Sequence, residues 1–473
     1  MNLPYNVKDR NSIISYAKQL KGKTLRTACK LDGSEKKFSG KGRFGQTLEQ
    51  FYFLYDVNSN AEADFKEAGL ELKSSPLKKL KSRKAYRSKE RVVLSIIDYL
   101  TIIDEDFENS SLWKENKNIL FIFYLHKQGY SILDYEIKRV DVWYFPDEDV
   151  EVIKKDWSLI QQKVLEGKAH ELSEGDTYYL GACTKGSNSR QLRKQPNSSI
   201  KAKQRAFSLK QGYVNHIIAS LAHEETVEYG KLISSKAQIE RTTIEDIIQS
   251  KFAPYLGRSI TEIADEFGLL HKKDSKHYTS LVAKAMLVGS SKEIEEFEKA
   301  EIEIKAIRID EFTNNPKENI SFPAIKYTDV FNKGLKKDFD KSDIKQQLEK
   351  KFLFVFYKIF GQELIFEKYV LWNMPYADIK RVEAVWNDLA ELLKNGRIIK
   401  GITQDKSGSI RRNTYFPSIR NEVAQIRPHG RNANDTYPLP CPDKLTSETA
   451  YTKHCFWLLG SYIRDKVYLN KSI

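Results

Sequence analysis

The sequence predicts a mixed α/β protein made of two tandem copies of one domain, each a central mixed sheet flanked by helices. Three observations carry this. The chain has 473 residues, too many for one ordinary hydrophobic core. Dense apolar runs suited to strands alternate with segments of helical periodicity. Landmarks also recur along the chain. Phe121-Ile122-Phe123-Tyr124 returns as Phe354-Val355-Phe356-Tyr357, and Trp143-Tyr144-Phe145-Pro146 returns as Trp372-Asn373-Met374-Pro375. Each proline is followed by a tryptophan 11 residues on, Trp157 and Trp386, and each tryptophan by a glycine 10 residues on, Gly167 and Gly396. The offset stays near 230 throughout, so the predicted domains are 1–235 and 236–473, with the junction inside 225–242.

The elements of each copy follow in order. Asn11-Ser12 and Thr242-Thr243 suit helix caps, which predicts helices over 11–20 and 243–252. Leu48, Phe51, Tyr52 and Tyr55 share one helical face, which predicts a helix over 45–55. Residues 69–74 and 301–307 alternate as strands, and 119–125 and 352–358 read as buried strands. Residues 147–166 and 376–395 are predicted helices, while 400–416 is polar and turn-rich and is predicted as a loop. Trp143, Trp157, Trp372 and Trp386 are expected as core or interface anchors.

Lys plus Arg minus Asp plus Glu is 78 − 64 = +14. Such a balance favours a polyanion partner, nucleic acid before membrane; a basic protein without one is the alternative. Cys29, Cys183, Cys441 and Cys455 are scattered without a Cys-x-x-Cys, which supports neither a zinc ribbon nor a disulfide framework. The first residues have no signal-peptide pattern, and no run of about 18 apolar residues suits a membrane span. The expected compartment is the cytoplasm, with no membrane partner.

Chemistry concentrates at Asp64, Glu71 and Lys73. In a strand, residues i and i+2 share a face, so Glu71 and Lys73 point together while Leu70 and Leu72 point into a core. Asp64 can bring a second carboxylate to that side. Carboxylates are hard oxygen ligands suited to Mg²⁺, which stabilises phosphoryl charge and lowers the pKa of a bound water. Lys73 can orient that water. This is the PD-(D/E)xK nuclease arrangement. The triplet alone equally suits a solvated strand face with ion pairs, so its surroundings must decide. Gly40 to Thr47 imitates a phosphate loop but has Gln46 where that loop needs lysine, and no convincing strand precedes it. Its glycines better suit a turn into the Glu49 helix.

The surroundings resemble the MutH family of endonucleases, which includes a mismatch-repair nicking enzyme and a GATC-cutting type II restriction endonuclease. Lys41-Gly42-Arg43-Phe44-Gly45-Gln46-Thr47-Leu48-Glu49 looks like the family's glycine loop and helix. Ala68-Gly69-Leu70-Glu71-Leu72-Lys73 looks like its catalytic strand. Gly167 to Gly175 and Ile200 to Lys210 are similar to the restriction enzyme. The resemblance implies that Glu49, Asp64 and Glu71 bind Mg²⁺, with Mn²⁺ as a substitute, and that Lys73 serves the attacking water. The family uses a further lysine; Glu115 stands at that place, and either Lys114 or Lys117 takes the role or the role is missing.

The second copy keeps Glu303 and Lys305 but has Glu296 where the first has Asp64, and its Glu49 position falls near Ala283 or Lys284. It is expected not to cut. Gln425-Ile426-Arg427-Pro428-His429-Gly430-Arg431-Asn432-Ala433-Asn434 looks like the family's DNA-reading loop, so this copy is expected to bind a second DNA site and regulate the first.

DNA-contact candidates are Lys185, Asn188, Arg190, Lys203 and Lys210 in the first copy, and Arg427, Arg431, Asn432 and Asn434 in the second. Arg427 could instead brace its loop. A further basic run, Lys78 to Arg91, follows the catalytic strand. The expected partner is double-stranded DNA, at two sites at once, bound by a monomer able to dimerise on it. A methyltransferase acting on the same sequence is expected without binding this chain. The rival readings are a nicking nuclease of repair and a DNA-binding regulator without catalysis.

Overall fold

The computed structural model describes residues 3–31, 42–55, 62–80, 85–185, 192–222, 228–290, 292–404, 410–417 and 422–470. Helices and several sheets mix as expected, and the chain divides into two compact units. The first comprises Met1–Ile244 together with Glu293–Glu301, and the second Glu245–Lys292 together with Ile302–Ile473.

The first unit is built on a four-stranded sheet, β2-β1-β4-β5, with β1 Glu71–Lys79, β2 Tyr86–Ser88, β4 Asn118–Leu125 and β5 Ile137–Tyr144. Strands β1 and β4 run parallel, pairing Glu71 with Ile119 and Lys73 with Phe121; β5 returns antiparallel to β4. Alternation gives the sheet two apolar faces. Leu70, Leu72, Leu120 and Ile122 join a core with Ile13 and Ala17 of the helix Arg10–Lys18 and with Leu48, Tyr52 and Phe53. Burying each such leucine contributes roughly 1.5–3 kcal/mol. The helix Asp147–Leu165 buries Val152, Ile153, Trp157, Ile160 and Val164, a stripe at helical spacing. Asp9, not Asn11 or Ser12, caps the first helix, accepting from the Asn11 amide.

A second, antiparallel sheet has the order β3-β9-β6, with β3 Val92–Ile96, β6 Leu180–Thr184 and β9 Arg205–Leu209; the hairpin of β7 Leu192–Gln195 and β8 Ser198–Lys203 lies between β6 and β9 in the chain. The helix Glu295–Ala300 also belongs to this unit, beside the helix Gln211–Ala222. A Cβ on Gly212 would collide with the Glu298 carbonyl, so glycine permits that approach. Lys299, 5% exposed in its side chain, ties the added helix down through Asp149 (2.9 Å) and also pairs with Glu295 of its own helix (2.8 Å).

In the second unit the strand Glu303–Ile309 runs parallel to Lys351–Phe360, which pairs antiparallel with Glu363–Asn373. The helix Tyr376–Lys394 follows, and a three-stranded antiparallel sheet joins Ile320–Ser321, His454–Leu458 and Ala424–Pro428. The order of elements repeats that of β1, β4, β5 and their following helix. Gly69 and Glu301, each two residues before its Glu-x-Lys, both take left-handed φ, 60° and 58°.

The loop expected over 400–416 is instead a hairpin of Ile399–Gln404 with Ile410–Thr414. Its strands are polar and its described side chains mostly exposed, so no apolar alternation marked them. The tryptophans 143, 157, 372 and 386 are all buried.

Candidate active site

Strand β1 sets the site. Glu71 is 5% exposed, and its two oxygens are both engaged. Oε2 accepts from the Asp64 amide at 3.0 Å, and Oε1 from Lys73 Nζ at 2.5 Å. Asp64 precedes the short 3-10 helix Lys66–Ala68, and its Oδ2 accepts from the Leu72 amide at 3.0 Å. The two carboxylates thus brace each other's strand entry.

Glu49 lies in a π-helical turn, Leu48–Tyr52, that continues the helix Arg43–Thr47. A Cβ on Gly45 would lie 3.6 Å from Glu49 Oε1 and 3.3 Å from Ser74 Oγ, so this glycine keeps the helix close to the strand. Burial, and secondarily the charge of Asp64, pushes the Glu49 carboxyl up to about 7, with Lys73 offsetting part of the rise. Burial is also the largest cause at Glu71, raised to about 8 although Lys73 opposes it. Lys73 is itself raised: burial disfavours its charge, but Glu71 and then Glu115 favour it more. It also donates to the Leu94 carbonyl of β3 at 3.1 Å.

Glu115 was the least legible member. It sits in the short helix Ser111–Asn116, with Oε1 3.5 Å from Lys73 Nζ. Lys114 and Lys117, both candidates for an auxiliary role, are exposed. The parallel pairing of β1 with β4, which begins just after this helix, carries Glu115 inward; in the sequence only the family resemblance marked its place, as that of a lysine.

Among the described residues, no three of His, Cys, Asp or Glu form a ready-made metal site. The donor chemistry nonetheless fits a hard divalent cation. Two carboxyls are raised far above the ordinary range, and Tyr55 Oη, with no hydrogen-bond partner among the described residues, is raised by burial and then by Asp64, Glu49 and Glu71. A cation would relieve that crowding of negative charge.

A family described as DNA mismatch repair enzyme MutH matches residues 53–156, a stretch that holds Asp64, Glu71, Lys73 and Glu115 but not Glu49. The type II restriction enzyme Sau3AI of Staphylococcus aureus is 34% identical over 97% of this chain and 98% of its own length. The chain belongs to the family of type II restriction enzymes that includes Sau3AI. DNA mismatch repair proteins MutH are similar over shorter stretches. That of Shewanella woodyi is 24% identical over 46% of this chain and 95% of its own length, and that of Buchnera aphidicola 24% identical over 28% and 59%.

The remaining expected site residues fall in several places. Lys185 is exposed after β6, and Lys203 ends β8. Asn188 and Arg190 lie outside the described residues. Lys210 is a correction: it is 3% exposed and its Nζ donates to the Thr177 carbonyl at 2.5 Å, so it is a core lysine rather than a phosphate contact. Arg205, five residues before it, is also buried and donates to the Ala182 carbonyl.

In the second unit, Arg427 is exposed and stacks over Trp457 at 5.6 Å. Arg431, Asn432 and Asn434 occupy an exposed turn in which the Arg431 amide donates to Asp435 and the Asn434 amide to Asn432 Oδ1. Glu303 and Lys305 are 3.3 Å apart and more exposed than Glu71 and Lys73. Glu296 belongs to the first unit and is buried, its carboxylate spent on the Leu232 and Ile233 amides. Ala283 and Lys284 lie in the helix Tyr278–Val288 and supply no carboxylate. No helix among the described residues is long and apolar enough to cross a membrane.

Proposed function

We propose that this chain is a type II restriction endonuclease making Mg²⁺-dependent double-strand cuts in DNA at GATC. The observation that carries the reading is end-to-end similarity to a restriction enzyme in a chain whose Asp64, Glu71 and Lys73 converge beside one strand entry. Residues 1–235 are proposed as the catalytic domain. Residues 236–473 are proposed to be the second copy of a tandem duplication, to bind a second site through Arg427, Arg431, Asn432 and Asn434 and to regulate cutting.

Glu49, Asp64 and Glu71 are the oxygen donors that would hold Mg²⁺, which when bound stabilises charge on the phosphoryl group and acidifies a bound water. Lys73 presents its ammonium to the attacking water and to phosphate oxygen. The Leu94 carbonyl accepts from that ammonium at 3.1 Å. The arrangement is electrostatic preorganisation: the charges are fixed before the reaction begins. Lys185 and Lys203 are proposed phosphate contacts, which would position the duplex without reading it.

A mismatch-repair nicking role is the second reading, favoured by the match to MutH over residues 53–156. Cleavage of one-site and two-site plasmids separates them. Paired cuts, faster on the two-site plasmid and slowed by Arg431→Ala, are expected. Nicked circles as the sole product, or equal rates on both plasmids, would overturn double-strand cutting or second-site regulation respectively.

A further inference from the structure

The bond between Lys73 and Glu71 raises a difficulty for the proposed chemistry. Lys73 Nζ occupies Glu71 Oε1 at 2.5 Å, and the other oxygen of Glu71 accepts from the Asp64 amide. A cation that takes Glu71 as a ligand would share that carboxylate with the ammonium, and the two like charges held against one group repel each other, which favours moving the ammonium elsewhere. A lysine 16% exposed in its side chain cannot simply turn to solvent. It needs another acceptor, and a neutral carbonyl such as that of Leu94 is a weaker one than a charge.

Glu115 is placed to meet that need. Its side chain is 12% exposed, its Oε1 lies 3.5 Å from Lys73 Nζ, and it approaches from a different element than Glu71 does. The helix that carries it is fixed by Ser110, whose Oγ accepts from the Trp113 amide, and by burial of Leu112 and Trp113. We infer that Glu115 is a positioning residue: it is the alternative seat for Lys73, taking the ammonium from Glu71 when a divalent cation binds. The inference rests on the proposed metal-dependent reading and adds a residue to it. Glu115 would act through Lys73 rather than as a ligand, and this distinguishes it from Glu49, Asp64 and Glu71.

A double-mutant cycle with a direct binding readout tests this. Mn²⁺ is titrated into the full-length chain without DNA, and free Mn²⁺ is followed by electron paramagnetic resonance. Glu115→Gln is expected to weaken Mn²⁺ binding about tenfold, the coupling typical of charged groups in contact. In a Lys73→Met background, where no ammonium needs reseating, the same change should alter affinity about twofold or less. Glu115→Asp, which keeps the charge, should recover part of the loss. Equal weakening in both backgrounds would mean that Glu115 acts on the cation directly, and would overturn the inference while leaving the metal-dependent reading intact. No effect of Glu115→Gln, or an Asp variant as weak as the Gln variant, would also overturn it. Absence of Mn²⁺ binding by the wild-type chain would overturn the metal-dependent reading itself, and the inference with it.

Discussion

Lys73→Ala is the perturbation with the sharpest consequence. Lys73 Nζ is held by Glu71 at 2.5 Å, the Leu94 carbonyl at 3.1 Å and Glu115 at 3.5 Å. It is the charge that opposes the rise of the Glu71 carboxyl, which still reaches about 8. Without it Glu71 rises further above neutrality, and a cation must displace a more tightly held proton to bind there. The preorganised charge facing the phosphate is lost as well, which typically costs about 3–4 kcal/mol, or a hundred- to a thousandfold in rate. We expect single-turnover cleavage of a GATC duplex to fall about a thousandfold. Binding measured in Ca²⁺ should stay within about twofold, because phosphate contacts elsewhere dominate affinity. Stability should change by only about 1 kcal/mol, since the orphaned carboxyls can neutralise by protonation instead of remaining as buried charges. Cleavage near the wild-type rate would refute the role given to Lys73.

Other predictions follow from the same geometry. Glu49 and Glu71 are raised to about 7 and about 8 from 4.5, so the folded metal-free chain holds protons that the unfolded chain has released. Their contribution to stability is therefore complete below about pH 4.5 and is lost as pH rises through 7 to 8; urea midpoints of the metal-free protein that rise across this window would contradict it. Cation binding should strengthen over the same range, and calorimetry in two buffers should register proton release. Lys299→Ala leaves Asp149, 1% exposed, without its charged partner and should cost about 3–5 kcal/mol, with Lys299→Met plus Asp149→Asn recovering much of it in urea titrations. A chain ending at residue 244 lacks the returning segment Glu293–Glu301 and should melt well below one that retains it; equal melting temperatures would argue that the segment is dispensable. Lys210→Ala should lower thermal stability, whereas Lys185→Ala should weaken DNA binding at unchanged stability.

The strand pattern around Glu71 was legible because it is local. Leu70 and Leu72 bury on one face while Glu71 and Lys73 share the other, as period-two alternation requires. The repeated Phe-rich and Trp-Pro landmarks likewise read directly into buried strands and the helices that follow them. Three things were hidden by distance or context. Glu115 reaches Lys73 only through the pairing of β1 with β4, across a separation that carries no periodic signal. Lys210 looked like one of a surface run of cations, but it directly follows a fully buried strand, Arg205–Leu209, and finds carbonyl acceptors inside. The return of Glu293–Glu301 to the first unit depends on Gly212, which meets Glu298, and on the Asp149–Lys299 pair, 150 positions apart, partnerships that composition cannot reveal.

The most direct test of the central claim is incubation of the purified chain with Mg²⁺ and a plasmid carrying two GATC sites, beside one carrying none, followed by sequencing of the ends. The account predicts discrete double-strand fragments from the first plasmid alone, every end at GATC, and none from a Lys73→Ala chain. Fragments from both plasmids would contradict the sequence assigned to the enzyme, and intact DNA from both, in Mg²⁺ and Mn²⁺ alike, would contradict the nuclease site built on Glu49, Asp64, Glu71 and Lys73.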